Sequence, residues 1–309
     1  MEFKQWTGGK IDADGAYDGI SLREYHGDLC VGPSLSKTGI KTILSQSPAH
    51  YYAQSYLNPE RDPASVAHHF SIGQAAHFLF LRETTNAAQF AEYFAVRPHK
   101  FRDWRTNEAK AWRAERELEG KIVLKDEDFE TMERMAESLS KHPLAKDLLQ
   151  GAVEKTLVWR DPKTGVWLKS RPDAIPVADG IAADLKCEAS SNIEDFQRSI
   201  GKHGYAYQAA LTRIGLKKLF DIEMTDFVFV VVEKSPPYAV AIIVIDSDWI
   251  YWALRDVRKA IDIFADCVAT DRWPAFPREM TAYMPVWMKR YYEQEADAGL
   301  LPEPKETDW

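Results

Sequence analysis

Cysteine is scarce in this chain of 309 residues: Cys30, Cys187 and Cys267 are the only three, far apart and without C-x-x-C spacing. That excludes a disulfide framework, a zinc ribbon and a cysteine-held iron–sulfur cluster, and three free thiols are expected. No apolar run approaches the about 20 residues of a membrane span, so a soluble protein without membrane contact is expected. Met1 to Gly9 carry neither the basic start nor the apolar stretch of a secretory signal, which makes the cytoplasm the expected compartment. An excess of positive charge is also missing, for the formal net charge is −8. This disfavours wholesale binding to nucleic acid, whose sequence-independent part is phosphate neutralisation. It leaves room for a local cationic patch, and for a site that gathers carboxylates around a metal ion. The length suits one enlarged domain, or a core wrapped by helical additions, and no internal repeat interrupts it.

Residues 1–33 are rich in Gly, Asp and Tyr without a clear period, and read as an irregular or short-stranded arm. Ser34 and Ser36 precede Ile40, Ile43 and Leu44 at helical spacing, a capped helix start. Ser47-Pro48 opens a second helix, Ser71 to Arg82 a third, and Asn107–Glu119 and Asp126–Leu139 two more. After Gly151 the period changes. Ala152–Trp159 predicts a strand, Asp161–Gly165 a turn, Val166–Arg171 the returning strand of a hairpin, and Gly180–Cys187 a third strand. A helical stretch, Ile193–Leu219, broken near Gly201–Gly204, leads to strands Phe227–Val232 and Tyr238–Ile245 and a long helix, Asp248–Cys267. Strands, a helical crossover and further strands predict an α/β arrangement, a mixed sheet flanked by helices. The Trp273–Phe276 and Met284–Trp287 clusters read as packing anchors, and the Pro- and Glu-rich residues 301–309 as a disordered tail.

Hydrolysis of a phosphodiester needs an activated water and stabilisation of charge on phosphate oxygens, which one or two Mg²⁺ ions supply. Such ions are commonly held by one or two carboxylates, with water and substrate filling the remaining positions. Arg171-Pro172-Asp173 followed by Asp184-Leu185-Lys186 has the required form. Asp173 ends one predicted strand, and Asp184 and Lys186 stand two apart on the next, so both point to one face. Asp173 and Asp184 can share a metal, the Leu185 carbonyl can add a ligand, Lys186 can orient or deprotonate water, and Glu154 on the preceding strand can join them. D-x-K and E-x-K also occur at Asp161–Lys163, Glu108–Lys110 and Glu119–Lys121, in a turn and beside a charged helix, with no carboxylate strand before them. The Asp184 copy stands out by its strand and its apolar neighbours Ile181, Ala182 and Ala183, since buried charges are seldom left unpaired. The competing reading is a structural salt bridge or an edge-strand pair.

His77 follows Gly73-Gln74-Ala75-Ala76 on a predicted helix, as a core histidine or as help to a second metal. Gln208 lies on the crossover helix, with Tyr205 and Thr212 on the same face by helical spacing. Between Arg97 and Lys121, the cations Arg97, Lys100, Arg102, Arg105, Lys110 and Arg113 alternate with Phe101, Trp104 and Trp112. Cations with aromatics suit a DNA-tracking surface, whereas interspersed glutamates suit a solvated helix face.

Taken in order, these segments resemble the RecE-type exonucleases of phages and prophages (exodeoxyribonuclease VIII), within the RecB-like PD-(D/E)xK group. The resemblance runs from about Ser34 to Trp287. It rests on Ser34-Leu35-Ser36, Ser47–Tyr52, Gly73–His77, Glu154, Arg171-Pro172-Asp173, Asp184-Leu185-Lys186 and Tyr207-Gln208. It implies the PD-(D/E)xK core with helical N-terminal additions: a single domain over 34–300, helical over 34–150 and carrying the catalytic sheet over 151–300. The implied activity is digestion of linear double-stranded DNA from the 5′ end, leaving 3′ tails for a RecT-like single-strand annealing protein. A homo-oligomeric ring around DNA and a site with Mg²⁺ or Mn²⁺, two ions at a time, are implied with it. By carry-over, Asp173, Asp184, His77 and Glu154 belong to the metal site, Lys186 serves the water, and Gln208 positions these groups or the phosphate. The group often has Q-x-x-x-Y, and Thr212 stands at the tyrosine position, with Tyr205 and Tyr207 as substitutes and DNA contacts. A structure- or sequence-specific endonuclease, and a non-catalytic DNA-binding protein on the same core, are the rival expectations.

Overall fold

A computed structural model describes residues 1–61, 80, 90–91, 93–175, 180–277 and 279–301, in two units, Met1–Pro274 and Ala275–Trp309. The predicted helix at 71–82 falls largely outside the described residues, and the tail from 302 falls wholly outside them.

The first unit holds two five-stranded sheets. One has the order β1-β2-β7-β8-β3, built from β1 (Lys4–Gln5), β2 (Gly15–Asp18), β3 (Ser34–Ser36), β7 (Thr156–Arg160) and β8 (Trp167–Ser170). The other has the order β12-β11-β10-β9-β6, built from β6 (Ala152–Val153), β9 (Ala174–Ile175), β10 (Ile181–Glu188), β11 (Asp226–Glu233) and β12 (Val240–Val244). A separate pair joins β4 (Phe94–Val96) to β5 (Ile122–Leu124). The helices are α1 (Leu22–His26), α2 (Lys37–Ser45), α3 (Pro48–Gln54), α4 (Asn107–Leu118), α5 (Asp126–Lys141), α6 (Pro143–Leu148), α7 (Ile193–His203), α8 (Tyr205–Phe220) and α9 (Ser247–Thr270).

The α/β expectation therefore holds, with one instructive change. The strand expected over Ala152–Trp159 is two strands in different sheets, and the returning strand divides likewise at Arg171-Pro172-Asp173. The hairpin register nevertheless continues through the break, because Val153 opposes Ala174 and Leu157 opposes Ser170. Between them the Glu154 N–H donates to the Asp173 carbonyl at 2.9 Å, and Glu154 takes a left-handed backbone with φ 50°. One long hairpin thus bends at Glu154 and Asp173, and each arm contributes one strand to each sheet, so that β7 and β8 pair in the first and β6 and β9 in the second. A left-handed glutamate costs on the order of 1 kcal/mol, which the surrounding bonds must offset.

Alternation explains the layers. On β11, Phe227, Phe229 and Val231 join one core with α8 and α9, while Val228, Val230 and Val232 join another with α5 and α6. β10 runs parallel to β11, and the α7–α8 crossover between them is what parallel pairing requires. The break foreseen near Gly201–Gly204 is the α7–α8 elbow, where Gly204 is left-handed at φ 62°. On α8 the small residues Ala206, Ala209, Ala210 and Gly215 are buried, and a Cβ on Gly215 would come within 2.9 Å of the Trp159 ring. Small residues thus let α8 lie close against the first sheet. The N-terminal arm is short-stranded, and its Ile11, Tyr17, Ile20, Tyr25 and Leu29 close a third core over Val158 and Trp167.

Two local expectations are corrected. Ser36 is the residue before α2 but makes no side-chain cap, whereas Ser47 does cap α3. Trp273 is a packing anchor, stacked 4.9 Å from Tyr52, but Phe276, Met284 and Trp287 are exposed, Trp287 by 68 %. Among the described residues of the second unit is the helix α10 (Val286–Asp297), none of whose residues is buried.

The arm is fastened by a buried lysine. Lys169 is 3 % exposed, and its Nζ donates to the Tyr25 carbonyl at 2.6 Å and the Gly27 carbonyl at 3.4 Å. Burial pushes its pKa down to about 8, from 10.5. The unfolded chain then holds the proton that the folded one has released between those values, so stability rises as pH climbs from about 8 to about 10.5. Urea denaturation across that window is expected to show this rise, worth up to about 3 kcal/mol, and Lys169→Met is expected to flatten it. An unchanged profile in the variant would refute the assignment.

Candidate active site

The site is assembled where the bent hairpin meets β10. Ala183 opposes Ala174 in an antiparallel pair, so one step along the same register sets Asp184 opposite Asp173. Neighbours in such a row share a face of the sheet. Asp184 is 1 % exposed. Its Oδ2 accepts from the Lys186 ammonium and its Oδ1 from the Gln208 side-chain amide, which also donates to the Arg171 carbonyl at 3.2 Å. A carboxylate taken from water needs such donors, and charge-assisted bonds are the stronger kind.

Asp173 is tied to the same strand from the other side, its Oδ2 accepting the Leu185 N–H at 2.7 Å. An extended residue sends its N–H and C=O to the same strand edge, so the Leu185 carbonyl also leaves toward Asp173. Asp173 and Asp184 stand side by side on adjacent strands, and with the Leu185 carbonyl they are hard oxygen donors, a type that suits Mg²⁺ or Mn²⁺ better than a soft metal. The donor chemistry fits the expected ion. Glu154 is less clearly part of it: its backbone continues the row, but no three His, Cys, Asp or Glu side chains gather into a metal-holding group among the described residues. His77 lies outside the described residues.

Period two continues past Asp184, so Lys186 and Glu188 occupy the same face beneath α8. The Tyr205 ring lies 4.7 Å from the Lys186 Nζ, and its hydroxyl donates to Glu188 Oε1 at 2.9 Å. Burial and the nearby Glu188 carboxylate raise the Tyr205 pKa, so the phenol stays protonated. Lys186 is set by opposing influences: burial disfavours its charge, but Asp184, Asp173 and the hydrogen bond outweigh that and raise its pKa. It is therefore an ammonium, a donor rather than a base. Thr212 sits one turn beyond Gln208, fully buried, its hydroxyl 2.9 Å from Ser170 Oγ. The tyrosine position of Q-x-x-x-Y is thus filled by a residue that pins α8 to β8. Of its two candidate substitutes, Tyr205 is at the site, and Tyr207 instead donates to Asp256 on α9 at 3.0 Å.

Among the described residues no hydrogen bond or ion pair joins the basic and aromatic segment to this site, and its charges are largely spent. Arg97 is 5 % exposed and bonded to Asp126 and Glu127, which makes it a structural residue and corrects its reading as a DNA contact. Lys100 pairs with Glu108, Arg105 with Asp103 and Arg113 with Glu117, at 2.7–2.8 Å. Among the described residues only Arg102 and Lys110 of the expected set lack an ion pair; both are exposed.

Two residues at the site escaped the sequence reading. Arg171 donates from Nε to the Glu154 carbonyl at 3.0 Å and from Nη2 to the Ile20 carbonyl at 2.6 Å, holding the bend against the arm. Lys37, the first residue of α2, lies 5.0 Å from the centre of the same Tyr205 ring that Lys186 contacts. Arg171 adjoins a motif already noticed, whereas a lysine at a helix start carries no signal.

Residues 36–282 match the family described as "PDDEXK-like domain of unknown function (DUF3799)". The chain belongs to this family. Both halves of the Pro172-Asp173 and Asp184-Leu185-Lys186 motif lie within the match. Among solved structures, the chain is similar to the crystal structure of a "Putative exonuclease" from Eubacterium rectale. The TM-score is 0.50 at 11 % identity, over 85 % of this chain and 97 % of that one. That likeness concerns the fold, and agrees with a PDDEXK-like α/β core. No curated protein matches the chain. Among the described residues of this PDDEXK-like protein, no helix is long and apolar enough to cross a membrane.

A ligand that binds only the folded state stabilises it, by about 2.7 kcal/mol at one hundred times its Kd. MgCl2 or MnCl2 is therefore expected to raise the melting temperature of the unsubstituted protein and to leave that of Asp184→Asn almost unmoved. An equal rise in both would place the ion elsewhere.

Proposed function

We propose that the protein is a deoxyribonuclease that uses Mg²⁺ or Mn²⁺ to hydrolyse linear double-stranded DNA from its 5′ ends. The observation that carries this reading is the pairing of Asp173 and Asp184 across adjacent strands, with Lys186 and Gln208 both bonded to Asp184. Family membership supports it, since the same motif defines the PDDEXK-like description. Asp173, Asp184 and the Leu185 carbonyl hold the ion, with Glu154 as a further candidate and His77 another by the likeness to RecE-type exonucleases alone. When bound, the ion supplies Lewis acidity toward the phosphate and lowers the pKa of water.

The protein's own groups do the rest. Lys186, kept protonated by Asp184 and Asp173, donates to the attacking water or to a developing phosphate oxyanion. Gln208 fixes the rotamer of Asp184 and links it to the Arg171 carbonyl, so that strand and helix move as one. Tyr205 backs the Lys186 ammonium from α8. Generation of 3′ tails for a RecT-like annealing partner, and a ring-shaped homo-oligomer that retains DNA between steps, complete the reading. They rest on the likeness to RecE-type exonucleases.

An end-labelled linear duplex with Mg²⁺ is expected to lose its 5′ label first, while a covalently closed circle stays intact. Lys186→Met is expected to lower kcat by about 10²–10³ with a smaller change in KM, and Asp184→Ala to abolish digestion. Cutting of the circle would replace this reading by an endonuclease, and no digestion of any duplex would remove it.

A further inference from the structure

Lys37 and Lys186 reach one aromatic ring from different elements, with Nζ atoms 5.0 and 4.7 Å from the Tyr205 centroid. Their situations differ. Lys186 has the Asp184 carboxylate as a direct partner, whereas Lys37 has neither an ion pair nor a hydrogen bond among the described residues, and only the ring to face. Tyr205 cannot offer Lys37 an acceptor, since its hydroxyl is committed to Glu188. Among the described residues the second cation is therefore in excess of the direct partners, with Asp184 acting on it only at longer range. Burial, and then the neighbouring Lys186, push the Lys37 pKa down to about 8, only partly opposed by Asp184.

The excess continues along α2. Lys41 stands one turn after Lys37 on the same helix face, its Cγ 3.4 Å from where a Cβ on Gly204 would lie, at the α7–α8 elbow. Like charges four residues apart destabilise a helix, and Lys41 too has no ion pair among the described residues. Two ammonium groups at the elbow, without an ion pair among the described residues and on a chain of net charge −8, form a seat for an anion. Its position relative to the carboxylates selects the anion. A mobile small anion would neutralise the lysines equally well, but only a substrate phosphate also has reason to lie beside a metal-holding pair.

We infer that Lys37 is a substrate-contacting residue, which with Lys41 binds backbone phosphates of the DNA strand entering the site between α2 and the α7–α8 elbow. The inference rests on the nuclease reading and adds to it the surface along which the strand is held. Lys37 adds a second cation beside Lys186 at the Tyr205 ring, and Lys41 holds the strand one helical turn further along α2.

The test is the salt dependence of binding. A 5′-fluorescein duplex is titrated with unsubstituted protein, Lys37→Met, Lys37→Arg and Lys41→Met in Ca²⁺ across a salt series, with cleavage in Mg²⁺ followed separately. Methionine keeps an unbranched stem against Tyr205, and thermal melts check that each variant is folded. Each lost phosphate contact is expected to flatten the slope of log K against log[salt] by about 0.9. Lys37→Met is expected to weaken low-salt binding about tenfold, whereas Lys37→Arg keeps both slope and affinity. A structural role would leave the slope unchanged, and a wild-type slope in both Lys37→Met and Lys41→Met would overturn the inference while digestion by the unsubstituted protein upholds the nuclease. A slope that depends on Lys37 without digestion would keep the phosphate seat and remove the hydrolytic reading. A protein that neither binds nor digests the duplex would overturn both.

Discussion

A carboxylate with 1 % of its surface exposed is the fixed point of this molecule. Asp184 cannot be removed from water without donors, and each donor it recruits commits another part of the chain. Lys186 comes from the same strand two residues on, Gln208 from α8 across the layer, and Gln208 in turn from the Arg171 carbonyl at the hairpin bend. Removing one partner from such a group costs far more than a single exposed hydrogen bond. The crossover helix, the central parallel strand and the bend are thereby held in one arrangement.

The bend is the second constraint, and it is tied to the first. Had the hairpin run straight, both its arms would have stayed in one sheet. By turning at Glu154 and Asp173 it divides its pairs between two sheets and keeps its register across the turn, so that Asp173 ends beside Asp184. The turn is stabilised by a backbone bond from Glu154 to Asp173 and by the Arg171 guanidinium on the Glu154 carbonyl. Arg171 also grips the Ile20 carbonyl. The N-terminal arm, which looks dispensable as a stretch of Gly and Asp, therefore buttresses the site from behind.

Much of this was legible before any coordinates. Spacing of two between Asp184 and Lys186, apolar neighbours and a preceding Asp173 were enough to place the pair on one face, and the i, i+3, i+7 spacing of Tyr205, Gln208 and Thr212 placed them on one helix face. Such periodicities survive because burial enforces them. The division of Ala152–Trp159 was not legible within that segment, because a glutamate with positive φ looks like any other glutamate, and the proline at the bend, Pro172, stands on the facing arm. Nor was the destiny of Arg97: a cation among aromatics reads as a DNA contact until Asp126 and Glu127, about 30 positions later, are found around it. Tertiary pairing, not composition, decides whether a charge is available.

The same distinction resolves the acidic net charge. A DNA-binding surface needs phosphates to find cations that the protein has not already neutralised, so the number of lysines and arginines says little by itself. Arg97 to Lys121 is the most basic stretch by inspection, yet Arg97, Lys100, Arg105, Arg113 and Arg116 each face a carboxylate from the segment or from α5. Beside the carboxylate pair the reverse holds. Two lysines stand on α2, neither has an ion pair among the described residues, and one shares an aromatic ring with the motif lysine. Among the described residues, the two lysines of α2 are thus more available to a phosphate than most cations of the segment that looks basic. A net charge of −8 therefore does not by itself argue against a phosphate-binding surface, because what a phosphate meets is set by which local cations lack a carboxylate partner.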